Sequence, residues 1–397
     1  MLVIGLIKEG KVPADNRVAL TPEQCKLINK SGKLKVVVQS SPHRCFSDKE
    51  YKRVGIEISD DLHNCDVLMG IKEVPVNMLI ENKTYLFFSH TKKQQAFNQQ
   101  LFHAMMDKKI TLLDYECLEH EDGQRIIGFG FFAGVVGAHN GMMVYGKRSG
   151  SYELGRVFEV KDYRDLIHTY FGLKIPNIKI AVTGSGRVAH GIVEVMNLMG
   201  ITEVEPDEYV EKKFSYPVYV QLKGHDLYTH RKLKTYRREH FHEYPEEYRS
   251  RFLPYTHCTD ILMNGIYWET SMPRLFERED IDDNFKIQVI SDITDDSFGS
   301  VPINLGDQNI ENPVYGVDRK NFEKKAAFLT ENIDVIAVSN LPNELPRDAS
   351  RYFGEQLLKF VLPELIKGGN EMTERAIMLK EGKLTEHFSY LSDYAKH

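Results

Sequence analysis

The run Ile178–Met199, IKIAVTGSGRVAHGIVEVMNLM, constrains this chain more than any other stretch. Its apolar opening, IKIAV, reads as a buried strand. Gly184-Ser185-Gly186 reads as a tight turn, and Ile192, Val195, Met196 and Met199 line one face of a following helix. A strand, a G-x-G turn and a helix in succession form a dinucleotide-binding fingerprint. The first glycine makes the turn, the second lets backbone N–H groups approach a pyrophosphate, and the helix N-terminus adds partial positive charge. Gly184, Ser185, Gly186, Arg187 and Val188 are therefore the candidate phosphate loop. The third position is shifted, with Ala189 where glycine is usual and Gly191 two residues later. The same run also fits a plain turn in a doubly wound sheet, so other segments have to decide.

Those segments repeat the alternation. Residues 2–7, Leu34–Gln39, Val67–Lys72, Thr84–Ser89 and Thr111–Asp114 read as strands, with helices opening at Thr21-Pro22-Glu23, Asp48 and Gln94 between them. After a long helix over Phe131–Tyr145 and another near Asp162–Phe171, a second set starts at Ile178 and continues with Ile261–Asn264, Gln288–Ser291 and Pro313–Val317. Strands alternating with helices imply parallel sheets covered on both faces. The expected fold class is α/β, with two doubly wound (Rossmann-like) parallel-sheet domains and a cleft between them. The first, the substrate domain, covers 1–133, and a helix at Ser350–Pro363 capped by Ser350 is expected to pack back on it. The second, dinucleotide-binding domain covers about 134–321, with a charged, aromatic insertion near 212–255 that follows its second strand.

A chain of 397 residues has room for two such cores, and a net charge of −6 argues against nucleic acid or an anionic membrane as the main partner. Five scattered cysteines without a C-x-x-C point to reduced thiols and a cytoplasmic protein, and no apolar run is long enough to span a bilayer. Small molecules are the expected partners; the oligomeric state is not legible.

Open parallel sheets bind ligands at the C-terminal ends of their strands. Lys72 ends VLMGIK and His90 ends YLFFSH, two ionisable groups suited to act as acid and base at one crevice, with Glu73 and Glu116 as carboxylates able to tune them. Both also read as ordinary strand-end polar residues. Arg17 and Arg125 are cations suited to clamp carboxylates. Asn264 and Gly265, and Asp292 with Asp296, follow later strands and are candidate cofactor contacts. His225, His230, His240, His242 and His257-Cys258 match no ligand spacing, so no metal is expected. The residue meeting the adenosine ribose should follow the second strand, where EVEPDEY offers Glu205 and Asp207. A carboxylate there repels a 2′-phosphate, so the reading leans to NAD over NADP, with Arg187, Arg231 and Lys232 as the alternative phosphate contacts.

Longer motifs carry a resemblance. RVALTP at Arg17–Pro22, GIKE at Gly70–Glu73 and SNLPNELPRDAS at Ser339–Ser350 resemble the alanine dehydrogenase and transhydrogenase superfamily. Within it, FFSHTKKQQ, LLDYECLE and GQRIIGFGFFAG resemble lysine-forming saccharopine dehydrogenase. VTGSGRVAHG, VEPDEY, YPEEYRSRF, ILMNGIYWE and SDITDDSFGS are similar to the lysine–ketoglutarate reductase half of aminoadipate semialdehyde synthase. The resemblance implies a reversible NAD(P)-dependent oxidoreductase that joins lysine and 2-oxoglutarate through an imine, with the reductase half using NADP. It implies Lys72 and His90 as the acid–base pair and Glu73 and Glu116 as their modulators. Arg17, Arg125 and Phe129 would line the substrate crevice, and Asn340 and Leu341 would lie against the nicotinamide. The resemblance also implies that the substrate domain is discontinuous, with about 322–397 as its second part. Two other readings stand beside it: a related amino-acid dehydrogenase of the alanine dehydrogenase kind, and a non-catalytic nucleotide-binding sensor.

Overall fold

The computed structural model describes residues 1–121, 123–306 and 308–396. It divides into two compact units, Met1–Phe129 with Pro346–His397, and Gly130–Leu345. Each has its own eight-stranded sheet.

In the first unit the strands run in the order Lys383–Leu384, Ile377–Lys380, Thr111–Asp114, Thr84–Phe87, Val67–Met69, Leu2–Leu6, Leu34–Val38 and Glu57–Ile58. The six strands from Thr111–Asp114 to Glu57–Ile58 are parallel, and Ile377–Lys380 joins antiparallel. Parallel strands covered on both faces must be apolar throughout, which is why Val67–Met69 and Leu34–Val38 carry almost no polar residue. The helix Pro22–Lys30 starts as its sequence dictates: Thr21 caps it in a reciprocal box with Gln24, and Pro22 occupies its first turn.

The second unit orders its strands Lys324–Lys325, Val314–Asp318, Asn332–Ile336, Val289–Asp292, Ile261–Asn264, Lys179–Thr183, Val218–Leu222 and Thr202–Glu203. The helix Arg187–Leu198 leaves the glycine turn and crosses the long helix Gly130–Ser149 in backbone contact. A Cβ on Gly191 would lie 2.0 Å from Phe131 O, and one on Gly134 would lie 2.0 Å from Val188 O. Gly191, displaced from the usual third position, thus still does the packing work of that glycine.

Four expectations are corrected. The strand beside Lys179–Thr183 is Val218–Leu222, which lies inside the stretch read as an insertion; only the two-residue edge strand Thr202–Glu203 precedes it. The central strand Asn332–Ile336, fully buried, also escaped the sequence reading. It keeps the second unit going to Leu345, so the chain returns to the first unit at Pro346 and not near 322. Finally, the helix there is Pro346–Gln356, opened by its proline; Ser350 lies inside it, and its hydroxyl accepts from Val18 N at 2.9 Å. Among the described residues no helix is long and apolar enough to cross a membrane.

Candidate active site

In the first unit, Leu2–Leu6, Val67–Met69 and Thr84–Phe87 lie side by side and parallel, so the residues just past their ends meet. Glu73 is the centre of what they build. Its Oε1 accepts from His90 Nδ1 at 2.8 Å, and Lys11 Nζ donates to both of its oxygens at 3.0 and 2.8 Å. Burial works to raise the Glu73 carboxyl, but the bonds from His90 and Lys11 outweigh it and hold it well below the usual range. An ionised Glu73 accepts from His90, which places the ring proton on Nδ1 and leaves Nε2 as the acceptor nitrogen. His90 takes a positive φ of 50°, a backbone region that costs a non-glycine residue about 1–3 kcal/mol and is kept where the surroundings enforce it. Buried Asn98 supplies that enforcement, donating to the carbonyls of Ser89 and His90 at 3.1 and 3.3 Å.

Lys72, half-buried one residue before Glu73, has its amine brought down to about 8, first by burial and then by the Arg17 charge. A lysine so placed exchanges protons near neutral pH, which an exposed lysine does not.

Arg17 is buried and paired with buried Asp15, donating from Nε at 3.0 Å and from Nη2 at 2.5 Å. Burial alone would raise the Asp15 carboxyl, but the Arg17 charge pulls it down to about 2. The guanidinium lies 4.1 Å over the Phe129 ring, which stacks on Phe353 at 4.5 Å. Arg125 is half-exposed and donates to Glu116, itself buried. A cavity of about 360 Å³ opens beside this group, lined by Glu9, Lys11, Asp15, Arg17, His43 and Tyr51 among others. The structure therefore places Lys72, Glu73, His90, Arg17 and Phe129 in one unit. It adds four residues that sequence reasoning missed: Glu9, Lys11, Asp15 and Asn98. Only Asp15, two residues from Arg17, carried a local signal.

The glycine loop dominates the second unit. Gly184 has φ +105°, open only to glycine, and a Cβ there would lie 2.8 Å from Gly265 O. Gly186 is the N-cap of Arg187–Leu198 and gives the first-turn N–H groups no side-chain partner; a Cβ on it would point into open space. An uncapped helix start with room in front of it fits a pyrophosphate. Asn264 and Asp292 are both buried and bonded to each other at 2.8 Å; Thr183 donates to Asn264 at 2.6 Å, and Asn304 and Thr294 donate to Asp292. They brace neighbouring strand ends. Burial pushes the Asp292 carboxyl up to about 6.

The topology sets the ribose-contact candidates Glu205 and Asp207 away from the strand that carries the glycine turn. Both follow the edge strand Thr202–Glu203, one strand farther out than Val218–Leu222. Asp207 lines a groove of about 580 Å³ with Asp226, Arg249 and Arg251. Leu222 is the residue beside the glycine turn, accepting from Gly184 N at 2.8 Å, and exposed Lys223 follows it. Asp226, a carboxylate of this tip, accepts from Lys223 N at 2.9 Å as a helix cap.

His230, His240 and Glu247 group their ligating atoms within 4.8 Å. Backbone N–H groups of Lys232 and Leu233 donate to His230 Nδ1 at 3.1 and 3.2 Å, so its proton lies on Nε2 and goes to Glu247 at 2.8 Å. A protonated nitrogen does not ligate, and the trio acts as a hydrogen-bonded brace.

Residues 5–136 match the family described as alanine dehydrogenase/PNT, N-terminal domain. Alpha-aminoadipic semialdehyde synthase, mitochondrial, of Rattus norvegicus is 30% identical over 442 residues, which cover 98% of this chain and 47% of that protein. Saccharopine dehydrogenase (NAD(+), L-lysine-forming) of Emericella nidulans is 26% identical over 380 residues, with 88% and 89% covered. The solved structure of an L-alanine dehydrogenase shares the fold at TM-score 0.68 and 15% identity, over 99% of this chain and all of that one. The chain spans about half the length of the semialdehyde synthases it matches. It carries the alanine dehydrogenase/PNT N-terminal domain in residues 5–136 and, over nearly all its length, is a homologue of the alpha-aminoadipic semialdehyde synthases and the L-lysine-forming saccharopine dehydrogenases.

Proposed function

We propose that the protein is an oxidoreductase of saccharopine and lysine metabolism, interconverting saccharopine with L-lysine and 2-oxoglutarate through an imine. The observation that carries this reading is the pair Lys72 and His90, each shifted or oriented for proton exchange by fixed neighbours. Making and breaking an imine moves protons on nitrogen and on the carbinolamine oxygen, and a lysine amine near 8 beside an imidazole oriented by Glu73 suits that demand. His90 Nε2 exchanges one proton while Glu73 steadies the imidazolium; Lys72 exchanges the other. The guanidinium groups of Arg125 and of Arg17, the latter held in place by Asp15, offer donors for substrate carboxylates beside an apolar wall of Phe129 and Phe353.

A nicotinamide dinucleotide, held at Gly184, Ser185, Gly186 and the first turn of Arg187–Leu198, would supply or accept the hydride. The Emericella relative's name specifies NAD(+). In this chain the tip beside the glycine turn carries Lys223, with Arg251 Nη1 donating to His225 O at 3.2 Å close by. That cationic tip favours a 2′-phosphate, so NADP is the proposed cofactor. All five cysteines are free, in keeping with a reducing compartment such as the cytoplasm.

The test is oxidation of NADPH and NADH over a grid of amino acids and 2-oxo acids. Lysine with 2-oxoglutarate should give the highest kcat/KM; turnover of alanine formation from pyruvate and ammonium instead would favour the alanine dehydrogenase reading.

A further inference from the structure

We infer that Glu9 is a positioning residue for Lys72, its carboxyl group holding the turn from which the lysine projects. The inference deepens the acid–base reading above and rests on it for its consequence, though not for its geometry. Glu9 Oε1 accepts from Ile71 N at 2.7 Å, and its Oε2 accepts from Lys72 N at 2.9 Å. One carboxyl group thus takes two consecutive backbone donors, the second belonging to the lysine itself. The contact is close all along the turn: a Cβ on Gly70 would lie 3.3 Å from Glu9 Oε1 and 2.8 Å from Ile7 Cδ1. The two partners come from adjacent parallel strands, Glu9 three residues past Leu6 and Lys72 three past Met69, so the bond also ties one strand end to the next.

This clamp is not a helix cap or a sheet rung, and no regular element requires it. It fixes the φ and ψ of the Lys72 backbone, and with them the side chain's setting among Arg17, Asp15, Glu73 and Lys11, the charged groups that act on its amine. Glu9 faces Asp15 and Arg17, and its charge also reaches Tyr115, whose buried hydroxyl has no hydrogen-bond partner among the described residues. Burial, then Asp15, pushes the Glu9 carboxyl up to about 8, against the pull of its two N–H donors. The dominant cause of the lowered Lys72 amine is likewise burial, so a relaxed turn that let the amine reach water would return it toward its ordinary 10.5.

Glu9→Gln tests this with little change of volume. The amide keeps one acceptor but turns an N–H₂ toward the second backbone N–H, so the clamp opens on one side. The Lys72 amine is followed by competitive labelling with trace acetic anhydride across pH, read by mass spectrometry, which needs no catalytic activity. In the wild type half-maximal reactivity should fall near pH 8; in Glu9→Gln it should move up by about one pH unit or more. With lysine and 2-oxoglutarate, kcat should drop about ten-fold or more while the dissociation constant for reduced cofactor is unchanged. Glu9→Asp, too short to reach both donors, should shift the same way, and it decides the matter if the glutamine variant folds poorly. An unmoved Lys72 midpoint in the folded variants overturns the inference, and so does failure of both variants to fold, which would make Glu9 a purely structural residue. A shifted midpoint in a wild type that turns over neither substrate keeps this inference and sinks the proposed reaction.

Discussion

At Lys72 and His90 the argument comes down to which atoms can exchange a proton at working pH. Lys72→Met and His90→Gln should each lower kcat by about 10²-fold or more, the scale of lost general acid–base help, with dinucleotide binding unchanged. Because the Lys72 amine sits near 8 and not 10.5, kcat/KM should bend near pH 8 in the wild type, and that bend should vanish in Lys72→Met. Wild-type turnover in both variants, or a bend that survives in Lys72→Met, defeats the assignment. The two arginines separate. Arg17 is buried with Asp15, and removing one partner of a buried pair costs about 3–5 kcal/mol, so Arg17→Ala should lower the melting temperature as well as binding. Arg125 is half-exposed, so Arg125→Ala should raise KM for the dicarboxylate about ten- to hundred-fold with a smaller loss of stability, that of depriving buried Glu116 of this donor. Equal melting losses in both would show that the burial contrast does not matter. Lys72, His90 and the arginines were legible because a polar residue ending an apolar run marks a strand tip. Glu9, Lys11 and Asn98 were not, since each reaches the site from a loop where charge is unremarkable and partners lie up to 63 residues away.

Among the elements, the glycine loop and its flanking strand and helix were readable because their apolar periods are strong. The neighbouring strand was not. Val218–Leu222 follows Pro217 within a polar, aromatic stretch, while EVEPDEY offered carboxylates at the customary distance from the glycines. Strand order, which a local pattern does not contain, decides which tip meets the ribose. The cofactor prediction changes with it. Under the proposed NADP reading a lysine at that tip would supply a charge-assisted contact to the 2′-phosphate, so Lys223→Ser should lower kcat/KM for NADPH about ten- to hundred-fold and leave NADH nearly untouched. Calorimetry should show 2′,5′-ADP binding more tightly than 5′-ADP, and the difference should shrink in the variant. A wild type that prefers NADH, or a ratio indifferent to Lys223→Ser but moved by Asp207→Ser, would return the selection to the original carboxylate.

For the molecule as a whole, buried carboxyls set the dependence of stability on pH. Burial pushes Glu9 up to about 8, Glu344 to about 7 and Asp292 to about 6. Each is raised above its value in the unfolded chain, so its contribution is complete at pH below about 4 and is lost as pH climbs through the folded value. Opposing them, burial brings His139 down to about 4; its contribution is present above about 6.5 and is lost only as pH falls. Asp15 and Glu50, held down to about 2, likewise weaken only in acid. Lys72 adds stability only as pH rises from about 8 toward 10.5. Between pH 6.5 and 8 the falling terms, Glu9 and Glu344, therefore act without an opponent. One proton per pH unit corresponds to about 1.4 kcal/mol, so the melting temperature should drop by a few degrees across that window. Glu344 is the cleaner group to alter: its Oε2 makes a long ion pair, 3.6 Å from Arg156 Nη2, and its Oε1 accepts from Asn140 Nδ2 at 2.9 Å, a bond that glutamine can keep. Glu344→Gln removes a titration without removing that contact, so it should flatten the decline between pH 6.5 and 7 and leave the part above pH 7, which belongs to Glu9. Scanning fluorimetry in buffers of equal ionic strength measures both slopes. A melting temperature that rises from pH 6.5 to 8, or a Glu344→Gln profile parallel to the wild type, would mean that these carboxyls are not protonated in the fold.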